Sequence, residues 1–240
     1  MKIHGIRSAA VLTALAAAAA LAGCAATDTV GKFAASSFAS LAEASRDRIS
    51  YEAEDGAWAL ASPAGDLFLL SSDFARNAGS GGMADMDRPD AELSLDAAPF
   101  LAAGLDVAKI PAAEGIKYEL EDGRFMLHFE LGKAAFAPAA KDSMTAAFGE
   151  LLKTERARVS YHAALDHYGI MLGGGNMVEW AKDLSKNDKD LVFVLEPGPL
   201  VAAGFDPAKV EGWVFAKVET MDAKGKKLLV DKLLRPFELR

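Results

Sequence analysis

The chain has 240 residues, of which 51% are hydrophobic and 25% charged, and it carries a formal net charge of −8 and a single cysteine. This composition is typical of a globular protein and argues against wholesale disorder. One cysteine excludes an internal disulfide framework and a cysteine-based zinc knuckle. The acidic balance argues against nucleic acid as the main partner, because phosphate neutralisation requires clustered Lys and Arg.

The first 24 residues have the layout of a targeting segment. A basic start is followed by an apolar run over residues 9–22, which is shorter than the roughly 20 apolar residues that a membrane span requires. The run ends in Leu-Ala-Gly-Cys at residues 21–24, which resembles the lipobox of bacterial lipoproteins. The resemblance implies cleavage before Cys24 and lipidation of this cysteine. An ordinary secretory signal with an incidental cysteine is the alternative.

The lipobox resemblance also determines what we expect of the flanking residues and of the location. Residues 1–23 are predicted to be removed as a signal peptide, and residues 24–32 to form a short lipidated tether. Acyl chains on Cys24 would hold the protein in a membrane of the cell envelope, which makes the membrane its first expected partner. Ala25 follows the cysteine, and the absence of Asp there favours the outer over the inner membrane, as in enterobacterial lipoproteins. No polybasic stretch adjoins the anchor.

The remainder of the chain contains an internal repeat. Residues 38–51 match residues 148–161 with six of 14 positions identical, and residues 99–110 match residues 199–210 with seven of 12 identical. The offset falls from 110 to 100 because the first copy has a loop, over residues 73–90, that is ten residues longer than its counterpart. Two matching blocks in the same order therefore indicate a duplication.

The duplication divides the chain into repeat unit 1, residues 33–139, and repeat unit 2, residues 140–240. Each unit is predicted to begin with a helix, over residues 32–48 and 141–158, because its apolar residues recur at helical spacing. Three strands follow, then a short proline-led helix, then two strands. The predicted strands cover residues 57–61, 67–71, 92–96, 116–120 and 125–131 in unit 1, and residues 168–172, 177–181, 191–196, 213–218 and 228–234 in unit 2. The fold class is therefore α+β: an internally duplicated α-β-β-β-α-β-β unit with mainly antiparallel sheets.

The short helices carry the most similar residues of the two copies. They are predicted over residues 99–103 and 199–203, and each is followed by a glycine, Gly104 or Gly204, at a position where a helix C-cap needs positive φ. Residues shared by both copies favour a structural role in capping and packing, since a catalytic set rarely needs two complete copies in one chain.

The long loop of unit 1 supplies the binding candidates Met83, Asp85, Met86 and Asp87. Loops of this length are often functional or flexible, and exposed Met side chains adapt to varied partners. The carboxylate spacing does not match an EF-hand, which continues through Gly to a Glu at its twelfth position. A solvated loop without a ligand is the alternative.

His162, Asp166 and His167 form the cluster most similar to a metal site. On a helix His162 and Asp166 would share a face, but here a helix is predicted to end and a strand to begin, and no third or fourth ligand is evident. The chain also lacks a Walker motif, a Gly-x-Ser-x-Gly elbow and a His-Glu-x-x-His motif. The sequence therefore predicts no catalytic residue, no resident metal and no cofactor.

Charge is divided unevenly between the units. Residues 33–139 contain 8 basic and 18 acidic side chains, whereas residues 140–240 contain 15 of each. Such a difference has two explanations. Either the sequence has drifted on solvated surfaces, or the acidic first unit binds a basic partner or a cation.

These observations lead to two hypotheses. The first is a lipid-anchored, non-enzymatic envelope protein that binds a protein partner or an apolar ligand, with the cleft between the units as a ligand site. A lipid carrier predicts a continuous apolar cavity lined by both units, and a scaffold predicts a filled core. The second is a periplasmic hydrolase or metal-dependent enzyme in which His162, Asp166 and His167 converge with another acidic residue.

Overall fold

The computed structural model of the protein describes residues 24–72, 89–131, 142–185, 189–221 and 226–239. The first repeat consists, in chain order, of α1 (Cys24–Ala44), β1 (Ile49–Glu52), β2 (Ala57–Ala61), β3 (Leu67–Ser71), β4 (Ala91–Asp96), α2 (Ala98–Ala102), β5 (Ile116–Glu121) and β6 (Arg124–Phe129). The second repeat consists of α3 (Met144–Thr154), β7 (Val159–His162), β8 (His167–Gly173), β9 (Asn176–Ala181), β10 (Leu191–Leu195), α4 (Pro197–Ala202), β11 (Val214–Met221) and β12 (Lys227–Phe237).

The strands form two six-stranded antiparallel sheets with the same topology. Sheet A has the order β1-β2-β3-β4-β6-β5, and sheet B has the equivalent order β7-β8-β9-β10-β12-β11. The α+β class, the antiparallel sheets and the duplicated unit that the sequence predicts are thereby confirmed. None of the helices in the described ranges is both long and apolar enough to cross a membrane.

Each repeat has one strand more than the sequence predicts. Ile49–Glu52 lies just past α1, where the sequence predicts a helix end, and it pairs with β2 as an antiparallel hairpin. A short 3-10 turn over Arg46–Arg48 separates this strand from the helix. At the other end, α1 begins at Cys24, so the residues 24–32 that the sequence assigns to a tether are helical.

The helices α1 and α3 are exchanged between the repeats. Helix α1 packs on β7 and β9 of sheet B, and helix α3 packs on β2 and β3 of sheet A. Trp180 of β9 donates from Nε1 to Ser37 Oγ at 2.7 Å, and its ring meets that of Phe38 edge-on. In the other half, Phe148 of α3 meets Phe68 of β3 edge-on. Each sheet therefore buries its inner face against the helix of the other repeat.

A single hydrophobic core results from this exchange. Helices α1 and α3 pack on each other, and their buried residues join the inner faces of both sheets into one continuous cluster. The cleft between the repeats, which the sequence predicts as a ligand site, is filled by these side chains.

A second contact between the repeats is formed where the short helices end. The backbone N–H of Asp106 donates to the carbonyl of Ala203 at 3.1 Å. The equivalent N–H of Asp206 donates to the carbonyl of Ala103 at 2.8 Å. Gly104 and Gly204 have the positive φ that the sequence predicts, 95° and 93°. A Cβ on Gly104 would lie 2.9 Å from the carbonyl oxygen of Gly204. The most similar block of the two copies is therefore the block that joins them.

Candidate functional site

The face of sheet B that points away from the helices encloses a pocket of about 320 Å³. Its lining comes from all six strands of the sheet, β7 to β12, together with Glu196, which follows β10. Because both edge strands of the sheet contribute, this face is concave. A small hydrophobic cluster, separate from the main core, forms its floor. The apolar side chains that line the pocket are Met171, Met177, Val194, Val218, Val230 and Leu234.

This face is apolar because successive side chains of a strand point to opposite faces of the sheet, and those on this side are mostly apolar. In β11 and β12, Val218 lies directly opposite Val230, and both side chains line the pocket. Leu229, the next residue along β12, points to the other face and is 66% exposed. The long hairpin therefore supplies one wall of the pocket with every second residue.

Two polar side-chain pairs lie around the apolar lining. Lys232 Nζ lies 2.8 Å from Glu196 Oε2 and also donates to the carbonyl of Gly175 at 2.8 Å. His162 Nδ1 lies 3.1 Å from Glu179 Oε1, and these two side chains are only 4% and 1% exposed. Polar groups of this kind, placed beside an apolar lining, can fix the orientation of a bound molecule. Ser160 Oγ, which also lines the pocket, lies 3.3 Å from His162 Nε2, so the second pair continues into a hydroxyl–imidazole–carboxylate chain.

The equivalent face of sheet A encloses a pocket of about 430 Å³ with a different character. His128 bridges two carboxylates: its Nδ1 lies 3.3 Å from Glu92 Oε2, and its Nε2 lies 3.4 Å from Glu119 Oε2. Burial, followed by the nearby Asp55, raises the pKa of Glu92 to about 7, although Arg124 acts in the opposite direction. This pocket is therefore polar and acidic.

The two faces differ because carboxylates occupy different strands of the same fold. In sheet A, Leu69 of β3 pairs with Glu92 of β4, whereas in sheet B, Glu179 of β9 pairs with Val192 of β10. Some of the excess acidic side chains of unit 1 therefore line this pocket. The duplication preserved the fold while the two concave faces acquired different chemistry.

The residues that the sequence proposes as a metal cluster do not meet at one point. His162 and His167 lie directly opposite each other in the β7–β8 pair, and both are buried. Asp166 lies in the turn between these strands, accepts a hydrogen bond from Tyr161 Oη, and pairs with Lys182 at 3.4 Å. Since Tyr161 and His162 are neighbours in a strand, their side chains point to opposite faces, and Asp166 faces away from the histidines.

The ionisation of Asp166 reflects this separate environment. The hydrogen bond from Tyr161 holds the pKa of Asp166 below its usual value, and Lys182 acts in the same direction. Among the described residues, no group of three or more His, Cys, Asp or Glu side chains is arranged to hold a metal ion.

The remaining candidates from the sequence are four loop residues and Cys24. Met83, Asp85, Met86 and Asp87 fall outside the described residues. Cys24 is the first residue of α1. Sequence reasoning missed the pocket on sheet B, although the alternation of β11 and β12 could have indicated a strand with two distinct faces.

Comparison of the chain with protein-family models, with curated proteins and with solved structures gives no match. The function is therefore argued from the chemistry and geometry of the sites.

Proposed function

We propose that this chain is a lipid-anchored, non-enzymatic protein of the bacterial cell envelope that binds a small apolar ligand on the concave face of sheet B. The observation that carries the proposal is the apolar pocket of about 320 Å³ on this face. This volume falls in the range of small-molecule sites, which are typically apolar with a few placed polar groups. A protein partner would instead need a broader exposed surface.

The composition of the lining supports an apolar ligand of adaptable shape. Met171 and Met177 place two flexible thioethers in the pocket, and such side chains adjust to irregular ligands. Val218 and Val230 oppose them from the hairpin with stiff β-branched side chains. The ion pair between Lys232 and Glu196 would orient a polar end of the ligand, because it lies among the lining residues.

The anchor rests on the lipobox-like sequence that ends at Cys24. Acyl chains at this residue would hold the protein stably at the membrane, since each buried CH₂ contributes about 0.8 kcal/mol. Labelled palmitate should therefore enter the protein in cells, and the label should be lost in Cys24→Ala. Incorporation that persists in Cys24→Ala would contradict lipidation at this site.

Ligand binding can be tested with a fluorescent apolar probe such as phenylnaphthylamine. We expect saturable binding by the native chain and a loss of at least about 10-fold in Val230→Glu, because an unpaired charge in an apolar site is costly. Leu229→Glu is the matched control, since it introduces the same charge at the neighbouring position on the other face of β12. Equal loss in both variants, or no saturable binding by the native chain, would contradict the proposed site.

A further inference from the structure

A basic groove lies on the surface between α1 and α3 and has a volume of about 300 Å³. Its lining contains three cationic side chains and no carboxylate. Lys32 belongs to α1 and Lys153 to α3, although more than a hundred residues separate them in the chain, and Arg156 begins the 3-10 turn that follows α3. The lining residues are Gly31, Lys32, Ala35, Gly149, Leu152, Lys153 and Arg156.

The charged groups of the groove point towards solvent. Lys32, Lys153 and Arg156 are all exposed. Lys153 Nζ lies 3.4 Å from Glu150 Oε2, and its side chain remains 73% exposed. An exposed pair of this kind is strongly screened by water, so Lys153 keeps its capacity to attract an external anion.

The floor of the groove is open because it contains two glycines. A Cβ on Gly31 or on Gly149 would meet no atom within 4 Å. Gly149 lies in the interior of α3, where glycine is less favourable than alanine, and the equivalent residue of the first repeat is Ala39. Since no neighbour requires glycine there, the open floor allows a ligand group to approach the helix backbone closely.

The groove also lies close to the expected lipid anchor. Helix α1 runs without interruption from Cys24, so Lys32 lies about 12 Å along the axis from the anchored residue. This is comparable to the Debye length of about 10 Å over which a membrane surface attracts cations. The next residue, Phe33, is 56% exposed, and an exposed aromatic ring beside a lysine is typical of helices that lie at a membrane interface.

We infer that the groove between α1 and α3 binds the headgroups of anionic phospholipids and docks the protein against the membrane that holds its anchor. This inference rests on the proposed anchoring at Cys24. Lys32, Lys153 and Arg156 attract the phosphates, the glycine floor admits a headgroup, and the ring of Phe33 enters the interfacial region.

The test uses the chain from residue 24 onwards with Cys24→Ser, so that no acyl chain contributes to binding. Sedimentation with phosphatidylcholine vesicles, with and without phosphatidylglycerol, measures the preference for anionic lipid. We expect binding only with phosphatidylglycerol and a strong decrease with salt. Lys153→Gln with Arg156→Gln should weaken binding by roughly 25-fold, since each cation near an anionic surface contributes about fivefold.

Lys209→Gln with Lys217→Gln is the matched control, because it removes the same charge from exposed positions outside the groove. Equal weakening by both pairs, or no preference for phosphatidylglycerol, would overturn the inference. Palmitate labelling of Cys24 in cells separates this outcome from failure of the anchor. Labelling without a vesicle preference supports the anchor and contradicts lipid binding by the groove. A vesicle preference without labelling supports lipid binding by the groove and contradicts the anchor.

Discussion

Phe38 and Phe148 occupy equivalent positions of the two repeats, and their rings stack on each other with centroids 3.6 Å apart and planes 16° from parallel. A contact between equivalent residues is the mark of a two-fold related interface, here formed within one chain. Because the helices that carry these rings are exchanged between the sheets, neither repeat contains a complete core of its own. The chain therefore behaves as one body made of two copies.

The stacked pair should contribute strongly to stability. Phe148→Ala removes a fully buried ring that contacts Phe38, Phe68 and Trp180, so we expect a loss of about 3–5 kcal/mol in the free energy of unfolding. Urea denaturation measures this loss. Phe215→Ala is the control, since this ring is 42% exposed, and it should cost much less. Similar losses in the two variants would show that the stack is not central to the core.

Exchange of the helices predicts how a divided chain behaves. A chain cut between residues 131 and 142 yields two halves, each of which carries a sheet without the helix that covers it. We expect neither half to fold as a monomer and the mixed halves to associate in a one-to-one complex, measured by circular dichroism and size-exclusion chromatography. Cooperative unfolding of either half as an isolated monomer would contradict the exchange.

The contact between the glycine loops predicts a difference between two similar substitutions. Gly104→Ala places a methyl group 2.9 Å from the carbonyl oxygen of Gly204 and also strains a backbone with φ of 95°. Gly123→Ala introduces comparable backbone strain with no atom within 4 Å. Backbone strain should lower the free energy of unfolding by about 1 kcal/mol or more in both variants. The decrease should be larger in Gly104→Ala, because the two repeats must also move apart. Equal losses in thermal unfolding would show that this contact is adaptable.

The sequence predicts the fold well where the two copies can be compared. The matching blocks at 99–110 and 199–210 indicate the duplication, and the positive φ of Gly104 and Gly204 follows from their place after a short helix. The helix exchange could not be predicted, because an amphipathic helix has a face that fits either of two related sheets.

The candidate site was harder to predict than the fold. Its lining brings together residues such as His162 and Lys232, which are 70 residues apart and lie on strands at different places in the sheet. No local pattern joins them, since they meet only because the sheet curves. His162, Asp166 and His167 are close in sequence, but Asp166 lies in the turn between β7 and β8 and accepts a hydrogen bond from Tyr161, whose side chain is on the opposite face of the strand from His162.

Glu92 should make stability depend on pH. Its pKa is raised from 4.5 to about 7, so between these values the folded state holds a proton that the unfolded state lacks, and stability falls as pH rises. Glu92→Gln removes this dependence. We therefore expect the variant to gain stability relative to the native protein as pH rises from 4.5 to 7, by up to roughly 3 kcal/mol.

Denaturation of both proteins at several pH values measures this gain. Glu121→Gln is the control, because it removes a carboxylate that lines the same pocket but is exposed to solvent. A difference between Glu92→Gln and the native protein that stays constant across the range would contradict the account of Glu92.

Native mass spectrometry of the acylated protein, taken from its own envelope, tests the proposed function most directly. We expect a chain that begins at Cys24, carries acyl chains and retains a small apolar ligand. The ligand should be lost in Val230→Glu and kept in Leu229→Glu, because only the first substitution places a charge in the pocket. A native protein without any retained ligand, or equal retention by the two variants, would contradict ligand binding on the concave face of sheet B.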